Sequence, residues 1–590
     1  MIKTDPARDN LLTDFGKATL KDRYLLPGET YQDLYARVAN AYQSDDDHGQ
    51  RLYEYMSKHW FSPSTPILSN GGSGRGLPIS CFLNSVPDSM AGIRDTWSEN
   101  VDLASNGGGI GTYYGDVRSI GETVRGNGKT SGVIPFIKVQ DAMTLGVSQG
   151  NLRRGSSAAY LHISHPEIEE FIDIRKPTGG DPNRRCLNIH HGICIDDKFM
   201  CAVENGEEYH LKSPKTGQII KTVDARSLWI KILTTRVETG EPYLLFIDTV
   251  NRKRPEIYKR NDLMVTTSNL CNEIVLSTGE DNIGNHRTAV CCLSSVNLEK
   301  YDDWKDSKWF IYDIMLFLDN VLQDFINRAP STMSHAKYAA IRERSVGLGV
   351  MGWHSFLQGK SIPFESVMAK VWNKRIFEEI RRKADDVSIA ISHIRGPCLD
   401  ANDVGINERF THKLAVAPTA SISIIAGTTS PGIDPITANV YLQKTLSGSF
   451  KVKNKQLEKV LEAHGKNNED TWRTITLNKG SVQSLDFLTD HEKLVFKTAI
   501  EIDQQWVIEH AADRANFVDQ GCSNNLWLRA DVHKKTLHDI HFLAWKKGIK
   551  GLYYLRSLSL HRAETVSKPH GVEADNIKPM TETDTCLSCQ

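Results

Sequence analysis

Hydrophobic and polar positions change their period several times along the chain. Near the N-terminus, Leu34, Val38 and Tyr42 recur every four residues, which predicts a helical, polar region over residues 1–60. Between about 157 and 440, β-rich runs alternate with helical ones, as in βα units that build a buried, largely parallel sheet. The predicted strands are Ala158–Ile163, Leu187–Ile195, Tyr243–Ile247 and Leu414–Ile425. The predicted helices are Pro166–Ile174, Ser227–Val237, Phe310–Ile326 and Ala369–His393.

The C-terminal part of the chain changes character twice. Residues 484–515 and 532–548 are again predicted to be helical, and the run Gly-Leu-Tyr-Tyr-Leu-Arg follows at 551–556. The residues after 556 contain two Lys-Pro pairs and few apolar side chains, which is typical of a flexible tail. We therefore expect four parts: a helical region 1–60, an α/β core 61–450, a helical and α/β region 451–556 and a tail 557–590.

Composition narrows the function classes. The 590 residues carry a net charge of −1, so no general attraction to nucleic acid or to an anionic membrane is expected. No apolar run approaches the roughly 20 residues of a membrane helix, and the first ten residues lack the apolar centre of a signal peptide. Eleven cysteines in such a chain indicate a reducing, cytoplasmic location. The class that remains is a cytoplasmic enzyme.

The strongest chemical signal is the triplet Asn269-x-Cys271-x-Glu273. If this stretch is extended, its amide, thiol and carboxylate lie on one side of the strand. A cysteine hydrolase would need an imidazole beside the thiol, whereas a carboxylate suits removal of a proton from a substrate hydroxyl. Ordinary strand alternation also explains the spacing, so the interpretation depends on the rest of the chain.

Two glycine-rich segments look like nucleotide-binding motifs but lack a required residue. A phosphate-binding P-loop ending at Gly128-Lys129 would need glycine at position 123, where threonine stands. A dinucleotide fingerprint starting at Gly107 would need glycine at position 112, which is also threonine. Both observations argue against a nucleotide kinase and an NAD enzyme.

Three further features accompany the triplet. The hydroxyl-rich turn at 418–423 follows an apolar run, as in a phosphate-binding turn. Cys81 and Cys292 lie in strand-like surroundings, with Cys291 as an alternative to Cys292. The chain ends in Cys586-Leu-Ser-Cys589-Gln590. Together and in this order, the motifs resemble the large, catalytic subunit of class I ribonucleotide reductase over most of the chain.

The resemblance implies a role for each of these side chains. Cys271 resembles the residue that becomes a thiyl radical and takes hydrogen from ribose C3′. Glu273 resembles the general base for the 3′-hydroxyl proton, and Asn269 the amide that holds the substrate. Cys81 and Cys292 resemble the pair that supplies two electrons by closing a disulfide, which a thiyl radical alone cannot do.

The resemblance also implies residues for two further steps, which are re-reduction of the disulfide and delivery of the radical. Cys586 and Cys589 resemble a thiol shuttle reduced by thioredoxin or a glutaredoxin-like protein, with half of a zinc site or unused thiols as the alternatives. Tyr553 and Tyr554 resemble a relay from a separate radical-generating small subunit. That partner would carry the metallocofactor, and none is expected on this chain.

The resemblance also assigns nucleotide-binding positions. Those that match the family's contacts to the sugar and diphosphate of the substrate are Thr65, Ser80, Gly108, Gly109, Thr419, Ala420, Ser421 and Ile422. Asp88 and Arg118 match residues that bind an allosteric deoxynucleoside triphosphate or ATP at the interface of a homodimer, and Arg153 lies in the loop that contacts the substrate base. Only about 60 residues precede the first motif, so the short form without an N-terminal ATP-cone is expected.

The implied fold is an α/β barrel of ten strands, in which two parallel five-stranded halves run antiparallel to each other. A finger loop carrying Cys271 would lie inside the barrel, and the helical N-terminal region outside it. The implied reaction is radical reduction of ribonucleoside diphosphates to 2′-deoxyribonucleoside diphosphates. The alternatives are an adenosylcobalamin-dependent reductase and a non-catalytic nucleotide-binding regulator of the same fold, which would need none of the thiols.

Overall fold

The N-terminal part of the chain is helical, as the four-residue rhythm of its apolar positions predicts. The structure is a computed structural model that describes residues 2–124, 126, 128–149, 153–445 and 448–557. Thr13, Thr30 and Asp45 cap the first three helices, since each side chain accepts an N–H from the residue three positions on. These helices and the next one are α1 Asp14–Arg23, α2 Tyr31–Tyr42, α3 Asp46–Ser57 and α4 Thr65–Asn70.

The strands begin directly after the third helix. Within the described ranges they are β1 Phe61–Pro63, β2 Cys81–Ser85, β3 Gly109–Tyr113, β4 Ser148–Gln149, β5 Arg153–Arg154, β6 Ser156–His162, β7 His190–Ile195, β8 Glu208–Lys212, β9 Ile219–Asp224, β10 Tyr243–Phe246, β11 Gly279–Glu280, β12 His286–Arg287, β13 Ala289–Asn297, β14 Val346–Met351, β15 Val440–Thr445, β16 Gly448–Lys453, β17 Leu526–Trp527, β18 Gly551–Leu552 and β19 Leu555–Arg556. The predicted strands 158–163, 187–195 and 243–247 are thus found as β6, β7 and β10.

Five neighbouring strands form one half of a barrel. β2, β3, β6, β7 and β10 lie side by side in that order, and each pair is parallel. Antiparallel neighbours flank this half, because β13 pairs with β2 and β18 pairs with β10. Strands buried on both faces are typical of such parallel sheets, and β2, β3 and β10 are buried at every position.

The second half of the barrel is less regular. β14 pairs with β13 in parallel, and single parallel bridges join Leu348 to Leu414 and Val416 to Cys522. β17 and β19 are also parallel, and the N–H of Tyr553 donates to the Asn524 carbonyl at 2.8 Å. Together these hydrogen bonds connect β13 to the segment that contains β18, which itself pairs with β10 of the first half. The predicted α/β barrel with two opposed halves is confirmed.

The predicted strand 414–425 is largely wrong. Leu414 and Val416 form only isolated bridges, and the chain then turns into a short helix. Pro418 has no N–H to donate to a sheet, and Thr419 adopts a left-handed conformation with φ of 55°, so an extended strand cannot continue. The apolar residues 414–417 made the whole run look like a strand.

Helices surround the barrel. They are α5 Met90–Ser105, α6 Ile134–Gly146, α7 Ile168–Asp173, α8 Asp197–Asn205, α9 Ala225–Thr239, α10 Ile247–Arg252, α11 Glu256–Arg260, α12 Tyr301–Trp304, α13 Phe310–Arg328, α14 Ser334–Glu343, α15 Trp353–Gly359, α16 Val367–Arg395, α17 Leu399–Asp403, α18 Ile422–Ile425, α19 Lys455–Ala463, α20 Glu469–Leu477, α21 Asp490–Val495, α22 Gln504–Arg514 and α23 Lys534–Lys546. The four helices predicted between 166 and 393 correspond to α7, α9, α13 and α16. The predicted helix 484–515 is instead two helices, α21 and α22.

The main hydrophobic core lies between the sheet and the helices. Ile193 and Leu244 of the sheet share it with Phe199 of α8, Ile232 of α9 and Phe317 of α13. Two smaller apolar clusters occupy the inside of the barrel, and they contain Cys271, Cys81 and Cys291. None of the helices in the described ranges combines the length and apolar character needed to cross a membrane.

Candidate active site

A finger loop, residues 266–278, runs through the inside of the barrel. It lies so close to β3 that a Cβ on Gly111 would be 1.9 Å from the Ser268 carbonyl oxygen, so only glycine fits there. The hydroxyl of Tyr160, on β6, donates to the Asn269 carbonyl at 2.7 Å. Cys271 is 3% exposed. The sheet therefore fixes the loop and shields the thiol from solvent.

The loop is turned and not extended, so the strand geometry expected for the triplet is wrong. Asn272 adopts φ of 62°, and the Asn269 Oδ1 accepts the N–H groups of Glu273 and Ile274 at 3.0 and 3.1 Å. Asparagine side chains compete with strand hydrogen bonding in this way. The amide nitrogen of the same side chain, Asn269 Nδ2, donates to the Cys81 sulfur at 3.3 Å. Asn269 thus joins the finger loop to β2.

The structure corrects the choice of cysteine opposite Cys81. Cys291 is the direct antiparallel partner of Cys81, and both belong to an apolar cluster inside the barrel. Cys292 belongs to the core outside the barrel, because neighbouring residues on a strand face opposite ways. Burial and the nearby Cys81 raise the pKa of the Cys291 thiol well above its usual range. Cys81 and Cys291 are therefore the pair that geometry brings together.

Glu273 is a buried carboxyl group, and only one of its two oxygens accepts a hydrogen bond within the described part of the chain. Burial raises the pKa of Glu273 to about 7, although hydrogen bonds from Asn269 and Ser523 oppose the shift. The Oε2 atom accepts from the Ser523 hydroxyl at 3.2 Å, and Oε1 has no hydrogen-bond partner within the part of the chain that the structure describes. A group with a pKa near neutrality and a free oxygen suits general acid–base catalysis.

A segment that the sequence did not single out closes the site. This closing segment, residues 519–525, donates the Gly521 N–H to the Glu273 carbonyl at 2.7 Å. The Gln520 amide donates to the Cys291 sulfur at 3.3 Å and accepts the Val275 N–H at 3.3 Å. Its only signal in the sequence is a polar run between Val518 and Leu526, which resembles an ordinary loop.

Two tyrosine rings pack against each other at a tilt of 51° beside the finger loop. The rings of Tyr553 and Tyr554 lie 4.2 Å apart between centroids, and Tyr243 packs against both at 4.7 and 5.1 Å. All three belong to the apolar cluster that contains Cys271. The sequence pattern predicts a role for the pair, whereas for Tyr243 it predicts only a position on a strand.

Tyr554 lies beside His190 and the buried carboxylate of Glu241. The Tyr554 hydroxyl lies 3.2 Å from His190 Nδ1, which lies 2.6 Å from the Glu241 carboxylate. Burial by itself would raise the pKa of Glu241, but Arg175 and His190 hold it well below its usual value. The sequence did not indicate this group, because His190 begins β7 and Glu241 comes 51 positions later, in the connection before β10.

The predicted substrate positions lie on four segments of the chain, and each has its own contacts. Ser80 directly precedes β2, and Gly109 on β3 is the strand partner of Cys81. A Cβ on Gly109 would be 3.1 Å from the Leu270 side chain. Thr65 begins α4, and its hydroxyl lies 2.9 Å from the Tyr24 hydroxyl. Thr419 uses its hydroxyl to accept the Gly432 N–H at 2.7 Å. The remaining predicted positions are Gly108 beside the Phe82 ring and Ala420, Ser421 and Ile422 at the start of α18.

The predicted effector and tail residues fall into two groups. Asp88 and Arg118 form an ion pair at 2.8 Å, so the structure does bring them together. Arg153 lies on β5, but its side chain is outside the described part of the structure. Cys586 and Cys589 are outside the described residues as well.

Comparisons with known proteins agree with this arrangement. The family model for the ribonucleotide reductase all-alpha domain matches residues 10–76, and that for the ribonucleotide reductase barrel domain matches residues 79–406 and 403–555. The chain is 40% identical to the ribonucleoside-diphosphate reductase large subunit of Invertebrate iridescent virus 3, covering 100% of both proteins. It is 31% identical to the corresponding protein of Caenorhabditis elegans, covering 93% of this chain and 76% of that protein.

A solved structure gives the same result. The class Id ribonucleotide reductase alpha subunit of Actinobacillus ureae superimposes with a TM-score of 0.83 at 34% identity, covering 94% of this chain and 98% of that chain. The two family models and these relatives span nearly the whole described chain. The chain belongs to the ribonucleotide reductase large-subunit family.

Proposed function

We propose that this chain reduces ribonucleoside diphosphates to 2′-deoxyribonucleoside diphosphates by class I radical chemistry. The observation that carries the proposal is the convergence of Cys271, Asn269 and Glu273 on one loop with the Cys81 and Cys291 pair inside a closed barrel. A nucleotide-binding regulator would need no buried dithiol beside a carboxyl group. The relatives named above support the choice of diphosphate substrates.

The proposed reaction balances with these residues alone. A thiyl radical on Cys271 takes the hydrogen atom from ribose C3′ and returns it at the end. The C2′–O bond breaks, the 2′-hydroxyl leaves as water, and a C2′–H bond replaces it. Cys81 and Cys291 provide the two electrons and two protons by closing an S–S bond. Their register as direct strand partners supports this role, because a disulfide needs Cβ atoms about 4 Å apart.

Glu273 and Asn269 prepare the sugar in this proposal. Glu273, when ionised, accepts the 3′-hydroxyl proton, which favours loss of the neighbouring 2′-hydroxyl. Oε1 is the oxygen that would accept that proton, because no group in the described part of the chain donates a hydrogen bond to it. Asn269 Nδ2 donates to the Cys81 sulfur and would donate to the substrate oxygens when the substrate binds.

Radical delivery and re-reduction require partners. We propose that a small subunit with a metallocofactor supplies the oxidising equivalent, which passes through Tyr554 and Tyr553 to Cys271; their contacts in one cluster support this path. The terminal Cys586 and Cys589 would re-reduce the disulfide and be reduced by thioredoxin or a glutaredoxin-like protein. Asp88, Arg118 and Arg153 would bind or transmit a deoxynucleoside triphosphate or ATP effector in a homodimer.

Replacing Tyr554 with phenylalanine should stop turnover without unfolding the protein. Phenylalanine keeps the ring packing against Tyr243 and Tyr553 but has no hydroxyl to oxidise and deprotonate. The measurement is deoxynucleotide formation with the small subunit present, next to melting temperature and substrate binding. Full activity of this variant would show that the radical reaches Cys271 by another route.

The function itself is tested by assaying the purified chain with dithiothreitol and a ribonucleoside diphosphate. Parallel samples contain no addition, adenosylcobalamin, or candidate small subunits. We expect deoxynucleotide only with a small subunit. Turnover with adenosylcobalamin alone would replace the class I assignment with the cobalamin type, and binding without turnover in every sample would favour the non-catalytic regulator.

A further inference from the structure

Ser523 lies between the two residues whose chemistry must be coordinated. Its hydroxyl oxygen is 2.7 Å from the Cys271 carbonyl oxygen and 3.2 Å from Glu273 Oε2. The serine is buried, and its own N–H is bound to the Val416 carbonyl at 2.9 Å. The backbone on which the hydroxyl turns is therefore fixed to the barrel.

A hydroxyl has one hydrogen, so Ser523 can satisfy only one of these acceptors at a time. When Glu273 is neutral, its own O–H can donate to Ser523 Oγ while the serine hydrogen goes to the Cys271 carbonyl. When Glu273 is ionised, a hydrogen bond to the carboxylate is the stronger choice, because charged acceptors attract a donor more than a carbonyl does. The Cys271 carbonyl then loses the hydrogen bond from Ser523.

We infer that Ser523 is a positioning residue that couples the protonation of Glu273 to the backbone of Cys271. Each proton gained by Glu273 turns the serine hydroxyl toward the Cys271 carbonyl and tightens the finger loop. Each proton lost turns it back. Under the proposed function, on which this inference rests, the loop is held firmly after Glu273 has taken the substrate proton, while the Cys271 sulfur holds the substrate hydrogen that it must return.

Several titratable groups surround Glu273. Titratable groups near it are Cys271 on its own loop, Tyr160 on β6, Cys291 on β13 and Cys522 in the closing segment. Burial raises the pKa of Cys522 to about 11 and those of Tyr160 and Cys291 well above their usual values. These three groups therefore stay neutral over the range in which Glu273 changes charge. Lys550 donates to the Gln520 carbonyl of the closing segment, and burial lowers the pKa of Lys550 to about 8, so it titrates just above that range.

The test is an infrared pH titration of the full chain without its partner subunit. The spectrum of the wild type minus that of Glu273→Gln isolates the carboxyl band. In the wild type we expect a backbone carbonyl band to change together with that band, near pH 7. A carboxyl band that titrates with no accompanying carbonyl change would overturn the coupling, and this measurement needs no variant of Ser523.

Variants of Ser523 give the second measurement. Ser523→Ala should raise the pKa of Glu273 by about one unit, because the carboxylate loses a donor, and should remove the coupled carbonyl change. Ser523→Thr keeps the hydroxyl and should restore both. The matched control is Ser268→Ala, whose hydroxyl binds the Ile274 carbonyl of the same loop at 2.7 Å and should leave the Glu273 titration in place.

Kinetics separate this inference from the proposed function. With the small subunit present, the acid limb of the kcat/KM profile should move upward in Ser523→Ala by the same pH shift. An infrared shift in a chain that never forms deoxynucleotide would support the coupling and refute the reductase proposal. Normal turnover with an unshifted profile and an unshifted infrared titration in Ser523→Ala would refute the coupling alone.

Discussion

Replacing Cys271 with serine should abolish deoxynucleotide formation while leaving nucleotide binding intact. The serine O–H bond is too strong for a tyrosyl radical to break, so no radical forms at the position that faces the sugar. We expect a loss of at least about 10³-fold, which corresponds to about 4 kcal/mol in transition-state free energy. The measurement is a turnover assay with the small subunit, beside equilibrium binding of substrate and effector.

Cys194 provides a matched control for that experiment. It is buried in the same apolar cluster as Cys271, and its thiol donates to the Thr266 carbonyl at 3.2 Å. Cys194→Ser preserves this hydrogen bond and should retain most of the activity. Measurable deoxynucleotide formation by Cys271→Ser, or an equal loss in both variants, would show that the sulfur at 271 is not the reacting atom.

The sequence pattern predicted the parallel strands well because their signals are local, whereas the barrel was implied by the family resemblance. Short apolar runs alternating with helical ones identify βα units, and β6, β7 and β10 lie where the pattern placed them. The same reasoning failed at 414–425, where only Leu414 and Val416 bridge to neighbouring strands. An apolar run does not reveal the turn that Pro418 and Thr419 impose on the residues after it.

The sequence predicted the residues of the finger loop but not the distant residues that bind to them. Asn269, Cys271 and Glu273 lie within five consecutive positions, so they are close together whatever the fold of the rest of the chain. Gln520 and Ser523 bind the same site from about 250 positions away, and no periodicity joins them to it. Long-range hydrogen bonds of this kind appear only when the second half of the barrel closes.

The neighbouring cysteines show how one residue changes a functional assignment. Alternation along a strand requires Cys291 and Cys292 to face opposite sides, but it does not say which side is the interior. That choice depends on the register with β2, where Cys291 pairs with Cys81. A slip of one residue would exchange the two roles.

The corrected assignment predicts opposite results for two adjacent substitutions. Cys291→Ser should prevent disulfide formation with Cys81 and so abolish turnover, by at least about 10³-fold. Cys292→Ser should remain active, because its side chain packs in the core outside the barrel. The buried hydroxyl should lower the free energy of unfolding of Cys292→Ser by about 1–3 kcal/mol.

A single-turnover experiment on prereduced protein distinguishes the two cysteines most directly. Each variant is mixed with the small subunit and substrate without added reductant, and deoxynucleotide and remaining thiols are counted. Cys292→Ser should form deoxynucleotide and lose two thiols for each product, as the wild type does. Cys291→Ser should do neither, although its fold and substrate binding are kept. If the two variants behave the other way round, then the strand register in solution places Cys292 inside the barrel, and the pairing of β2 with β13 must be shifted by one residue.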